Sequence, residues 1–122
     1  MRKIRLILLF EAAAFFVASL IHSGVIIQGY EHDGARIAEG VIGAVLLLGL
    51  ALTWAGEAWA RRAALASQVF ALLGTGVGLF TVVIGVGPRT VPDVIYHVAI
   101  ILVLIAGYMA MKREFPRAQA TA

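Results

Sequence analysis

Three histidines and seven acidic residues, with no cysteine, set the chemistry open to this 122-residue chain. Disulfides, thiolate metal sites and cysteine nucleophiles are excluded. The residues that stand inside apolar surroundings are Glu11, His22, Glu39, Asp93 and His97. An ionisable group at mid-membrane costs about 2.5–3.5 kcal/mol on insertion scales, so it turns toward the bundle interior and marks a candidate site. Two neutral imidazoles and a carboxylate form a donor set that suits zinc, iron, manganese or copper. His22, Glu39 and His97 are therefore the expected metal ligands, with Glu11, Asp93 and Tyr96 as expected ligand-binding groups. Three other readings stay open: haem held by His22 and His97, a bound quinone, and a purely structural network in which Glu39 and Asp93 orient the two rings. No HExxH or CxxC spacing fixes a geometry. His97 with Asp93 would make an acid-base pair, but no nucleophile or oxyanion donor accompanies them, so an enzyme is not the expectation.

The elements that position these groups follow from composition. Hydrophobic residues make up 61% of the chain and charged residues 14%, against about 45–50% and 25% in soluble domains. Four apolar runs, each about the 20 residues needed to cross a bilayer, predict an all-α, four-transmembrane-helix antiparallel bundle in a single domain over 1–114. Its helices are expected at about 4–27, 37–56, 63–86 and 91–111, with a flexible tail over 115–122. A secretory signal competes for the first run, because MRKIR is a charged leader and LILLF begins an apolar core. The run is too long for one and contains Glu11. Thr90, Pro92 and Asp93 spell a capping box at the start of the fourth helix. Gly87 and Pro88 stop the third.

The net charge of +3 does not point to nucleic acid, because the basic residues sit at the ends of apolar runs. With the N-terminus inside, eight of the ten lysines and arginines are cytoplasmic and only Arg36 and Arg89 lie outside. The positive-inside rule then places both termini in the cytoplasm and the chain in an inner membrane as a multi-pass protein. Trp54, Trp59 and Tyr108 at one interface and Tyr30 and Tyr96 at the other read as anchors. On this topology His22, Glu39 and His97 come to similar depth near the outer surface, beside the loop residues Glu31, His32 and Asp33. At 100° per residue Glu11, Ala18 and His22 share one helix face, Glu39 and Gly43 another, and Asp93, Tyr96, His97 and Leu104 a third.

Partners are expected to be the lipid bilayer and, through the small-residue stripe Gly74, Gly78 and Gly85, either a neighbouring helix of the same chain or a second copy. The run from Gly74 to Gly78 is not read as a phosphate loop, which needs a strand before it. Glu11 lies on the cytoplasmic half without a basic neighbour in its own helix. Gln68 and Thr53 are its expected hydrogen-bond partners if its role is structural. In size, in its four spans and in an acidic residue within the first of them, the chain resembles the small multidrug resistance transporters in architecture. It departs from that family in AAAFFVASLIHSG after the acid and in a third span without a Trp-centred segment. What the likeness implies is a proton-coupled transporter in which Glu11 exchanges a proton for a cationic substrate.

Overall fold

The computed structural model describes residues 1–115, so all but the first residue of the expected tail falls outside it. Four helices run α1 (Arg2–His22), α2 (Asp33–Leu52), α3 (Glu57–Ile84) and α4 (Val91–Glu114), and each is long and apolar enough to cross a membrane. Each packs on the next and α4 closes back on α1, which makes a ring of four. Short connections force successive neighbours to run antiparallel. One end of the bundle thus carries Met1 and Glu114, and the opposite end carries the connections after α1 and α3.

Apolar runs mark where lipid would be, and the helices stop and start elsewhere. α1 ends at His22 rather than near Ile27, because Gly24 takes a left-handed φ of 74°. The Val25 and Gly24 amides then donate to the Leu20 and Ile21 carbonyls, a Schellman closure. Val25, Ile26 and Ile27 continue as an exposed apolar loop. α2 begins at Asp33, four residues before the apolar run, because the His32 ring caps it: Nδ1 accepts from the Ala35 amide at 3.1 Å. That fixes the proton on Nε2, which donates to the Val86 carbonyl at 3.1 Å and ties the start of α2 to the end of α3. α3 spans 28 residues, about 42 Å, and outruns a hydrocarbon core of about 30 Å, so its first turns carry Glu57, Arg61 and Arg62 as ordinary polar helix. Gly85 closes α3 with a left-handed φ of 85°. The capping box before α4 is present, with Thr90 and Asp93 bonded reciprocally.

Close approach between the helices comes from glycine. The Phe16 ring lies against Gly43, and Ser67 of α3 fills the place a side chain at Gly49 would take. The stripe on α3 is occupied from within the chain, with Ile42 over Gly74, His97 over Gly78 and Arg89 over Gly85. Between the two ends lies an apolar layer of Leu8, Phe15, Leu46, Ala71, Ile100 and Leu104. At the termini end, Arg5 donates to the Thr53 hydroxyl at 2.9 Å and its carbonyl at 3.1 Å, and its guanidinium stacks on Trp54. A cation at a helix C-terminus satisfies orphan carbonyls and complements the helix dipole.

Candidate functional site

Among the described residues five ionisable side chains, Glu11, His22, Glu39, Asp93 and His97, are buried within the helices, and they form two separate groups. The larger lies at the loop end. His22, the last residue of α1, points into the bundle with Nδ1 at 2.7 Å from Glu39 Oε2 of α2 and Nε2 at 3.1 Å from Asp93 Oδ1 of α4. Both contacts are hydrogen bonds only if each has a proton between its two atoms. The cluster therefore holds two protons and one net negative charge, whether written as an imidazolium between two carboxylates or as a neutral ring between one carboxylate and one carboxylic acid. The second Asp93 oxygen accepts from the Thr90 amide and hydroxyl. Asp93, the N3 member of the capping box of α4, thereby also holds the ring of His22.

His97 stands one turn further along α4 and does not join this chain. Its Nδ1–H donates to the Asp93 carbonyl at 2.7 Å, which leaves Nε2 facing the gap beside Gly78. The Tyr96 ring packs edge-on against both Phe15 and His97. Two buried oxygens in this region, Glu39 Oε1 and Tyr96 Oη, have no hydrogen-bond partner.

Two cavities flank the cluster. One, of about 210 Å³, lies between α2, α3 and α4, and its polar lining comes chiefly from Glu39, Tyr96, His97 and His32 among residues such as Phe15 and Ile42. The other, of about 260 Å³, lies between α1, α4 and the loop after α1, and it is bordered by His22, Asp93, Tyr96 and Tyr30 among aliphatic side chains. Glu39 thus borders the first cavity, His22 and Asp93 the second, and Tyr96 both.

The second buried group is at the termini half. Gln68 Nε2 donates to Glu11 Oε1 at 2.7 Å and to the Leu104 carbonyl at 3.0 Å, while Glu11 Oε2 and Gln68 Oε1 are unpaired. Gly107 makes room, because a Cβ there would strike the Glu11 carboxyl and the Gln68 amide. Glu11 also borders a groove of about 460 Å³ between α1 and α4, lined by Leu6, Phe10, Val103, Ala106 and Gly107. Thr53, the other expected partner of Glu11, is taken by Arg5.

Of the expected metal ligands, His22 meets Glu39, while His97 is bonded to the Asp93 carbonyl. No group of three or more histidine, aspartate or glutamate side chains among the described residues is arranged to hold a metal ion. At His22 both ring nitrogens face carboxylate oxygens, one from α2 and one from α4. Asp93 is bonded to His22 rather than to Arg89, which lies over Gly85. Asp33 pairs with Arg36 at 2.8 Å on the surface. The spacing of the sequence carried no sign of Gly107, whose role depends on a contact with two other helices. No family model, curated protein or solved structure matches the chain.

Proposed function

We propose that this is a multi-pass inner-membrane protein with its termini in the cytoplasm, and that its periplasmic-side cavity between α2, α3 and α4 holds the ring of a quinone or quinol. The observation that carries this reading is the pair of buried, unpartnered oxygens on Glu39 and Tyr96, two residues that line one otherwise largely apolar cavity. Such a pair is costly unless a ligand completes it. At about 210 Å³ the cavity is below the roughly 300–1,000 Å³ of drug-sized pockets, so it suits one substituted ring. The Tyr96 hydroxyl supplies a donor for a quinone carbonyl. Glu39 Oε1 and His97 Nε2, whose neighbour Nδ1 carries the proton, supply acceptors for a quinol hydroxyl. The orientation rests on the charge bias: Arg2, Lys3, Arg5, Arg61, Arg62, Lys112 and Arg113 all lie toward the termini end.

Equilibrium dialysis of detergent-purified protein against a short-chain benzoquinone and its quinol tests this. Saturable binding is expected, weakened about tenfold by Tyr96→Phe, the value of one hydrogen bond. The same substitution should leave the thermal stability of the ligand-free protein unchanged or slightly raised, because it deletes a hydroxyl that has no partner. Failure of both redox forms to bind saturably would end the reading.

A second reading is supported by the unpaired Glu11 Oε2 beside the α1–α4 groove. There the chain is a proton-coupled transporter whose Glu11 gives up a proton when a lipophilic cation enters. Tetraphenylphosphonium binding should then rise with pH in the native protein and lose that dependence in Glu11→Gln. Identical pH profiles in the two proteins would remove this reading.

A further inference from the structure

We infer that His22 links the two cavities by proton transfer, so that a hydroxyl ligand entering the first cavity expels a proton into the second. This rests on the quinone-type reading above and goes beyond it by naming how that site is regulated. The geometry is a continuous chain from Glu39, through His22 Nδ1 and Nε2, to Asp93, with contacts of 2.7 and 3.1 Å. The two ends of this chain border different cavities. A structural ion pair would need only one carboxylate. Here a ring is held between two, on separate helices, and its alternative proton positions differ only by short shifts along existing hydrogen bonds.

In the imidazolium form of the cluster both ring nitrogens carry protons. A quinol hydroxyl passes its proton to Glu39 Oε1, so that a quinol O–H bond breaks and a Glu39 O–H bond forms; with the charge on Glu39 removed, Nε2 passes its proton to Asp93 Oδ1 while Nδ1 keeps its own toward Glu39 Oε2. One O–H and one N–H bond break, two O–H bonds form, and no electron changes owner. The Asp93 carboxylic acid releases its proton toward the second cavity, and return of a proton by the same path restores the ring. The groups that set this balance are Glu39 from α2 and Asp93 from α4, with Tyr96 and His97 beside them. Tyr30 stands at the second cavity, and Glu31 lies over Gly24 next to the end of α1. The titratable residues of α3, which are Glu57, Arg61 and Arg62, are at its opposite end.

Calorimetric titration of the whole protein with a short-chain benzoquinol, in buffers of different ionisation enthalpy, counts the protons. The native protein should release about one proton per quinol bound, so that affinity falls by up to about tenfold for each unit the pH is lowered through the active range. The quinone, which has no hydroxyl to donate, should release none. In Asp93→Asn, changed on the far side of the ring from the first cavity, proton release should disappear. In parallel, nitrogen spectra of labelled histidine in the ligand-free protein should show both His22 nitrogens sharing protons. Quinol binding with no proton release, or with equal release in Asp93→Asn, overturns the linkage and leaves the quinone-type reading standing. A single unshared proton fixed on one nitrogen overturns the linkage as well, and absence of binding overturns both.

Discussion

Replacing His22 with leucine is expected to cost on the order of 3–5 kcal/mol of stability, the range for removing one partner from a buried ionic cluster. The loss follows from what remains behind. Glu39 and Asp93 are both buried and would face a leucine that donates nothing, and Glu39, whose other oxygen is already unpaired, would have no hydrogen bond left from its carboxylate. Asp93 would keep its Thr90 bonds, so most of the penalty lies on the α1–α2 side. The double replacement His22→Leu with Glu39→Leu should recover much of the loss, because an apolar pair of similar bulk removes the orphaned carboxylate. Thermal unfolding of the variants in one detergent compares them. A single variant within about 1 kcal/mol of the native protein would show that the cluster does not hold the bundle together.

How much of this was legible beforehand depends on which physical signal each feature leaves in one dimension. Apolar length revealed four helices, and helical periodicity turned Glu11, His22, Glu39, Asp93 and His97 to the interior, where all five are buried. The capping box at Thr90 and Asp93 is local chemistry, and it was readable at the level of individual bonds. Helix ends were harder. A hydropathy run reports where lipid would tolerate the chain, whereas α1 stops at a left-handed glycine and α2 starts at a histidine ring, both set by hydrogen bonding. The partners of His22 were out of reach for a different reason. Periodicity and depth bring His22, Glu39, Asp93 and His97 to one level. Which of them meet is decided by helix rotation within tens of degrees, and that rotation puts Asp93 rather than His97 against the ring of His22. Where two carboxylates flank one imidazole the chemistry is proton sharing.

The most destabilising small change at the other buried group should be Gly107→Val. A side chain beginning at Gly107 enters the space of the Glu11 carboxyl and the Gln68 amide, both of them fully buried, so neither can retreat into solvent. Overpacking alone costs about 1–3 kcal/mol. Here it also parts a hydrogen-bonded pair whose members already carry one unpaired oxygen each, which adds about 1–3 kcal/mol for groups left unsatisfied. The cause can be separated from a general intolerance of α4 by a cycle with Glu11→Ala, which vacates the volume that the valine needs. Glu11→Ala should be destabilising in the native background and much less so, or stabilising, beside Gly107→Val, a coupling of roughly 0.5–3 kcal/mol. Additive losses in unfolding measurements would mean that valine strains the α1–α4 seam through Ile7, whose side chain is also within reach of that position, rather than through the carboxyl. The glycine therefore decides whether a carboxyl can sit at the foot of the α1–α4 groove at all, which makes it as necessary to a proton-exchange role for Glu11 as the acid itself.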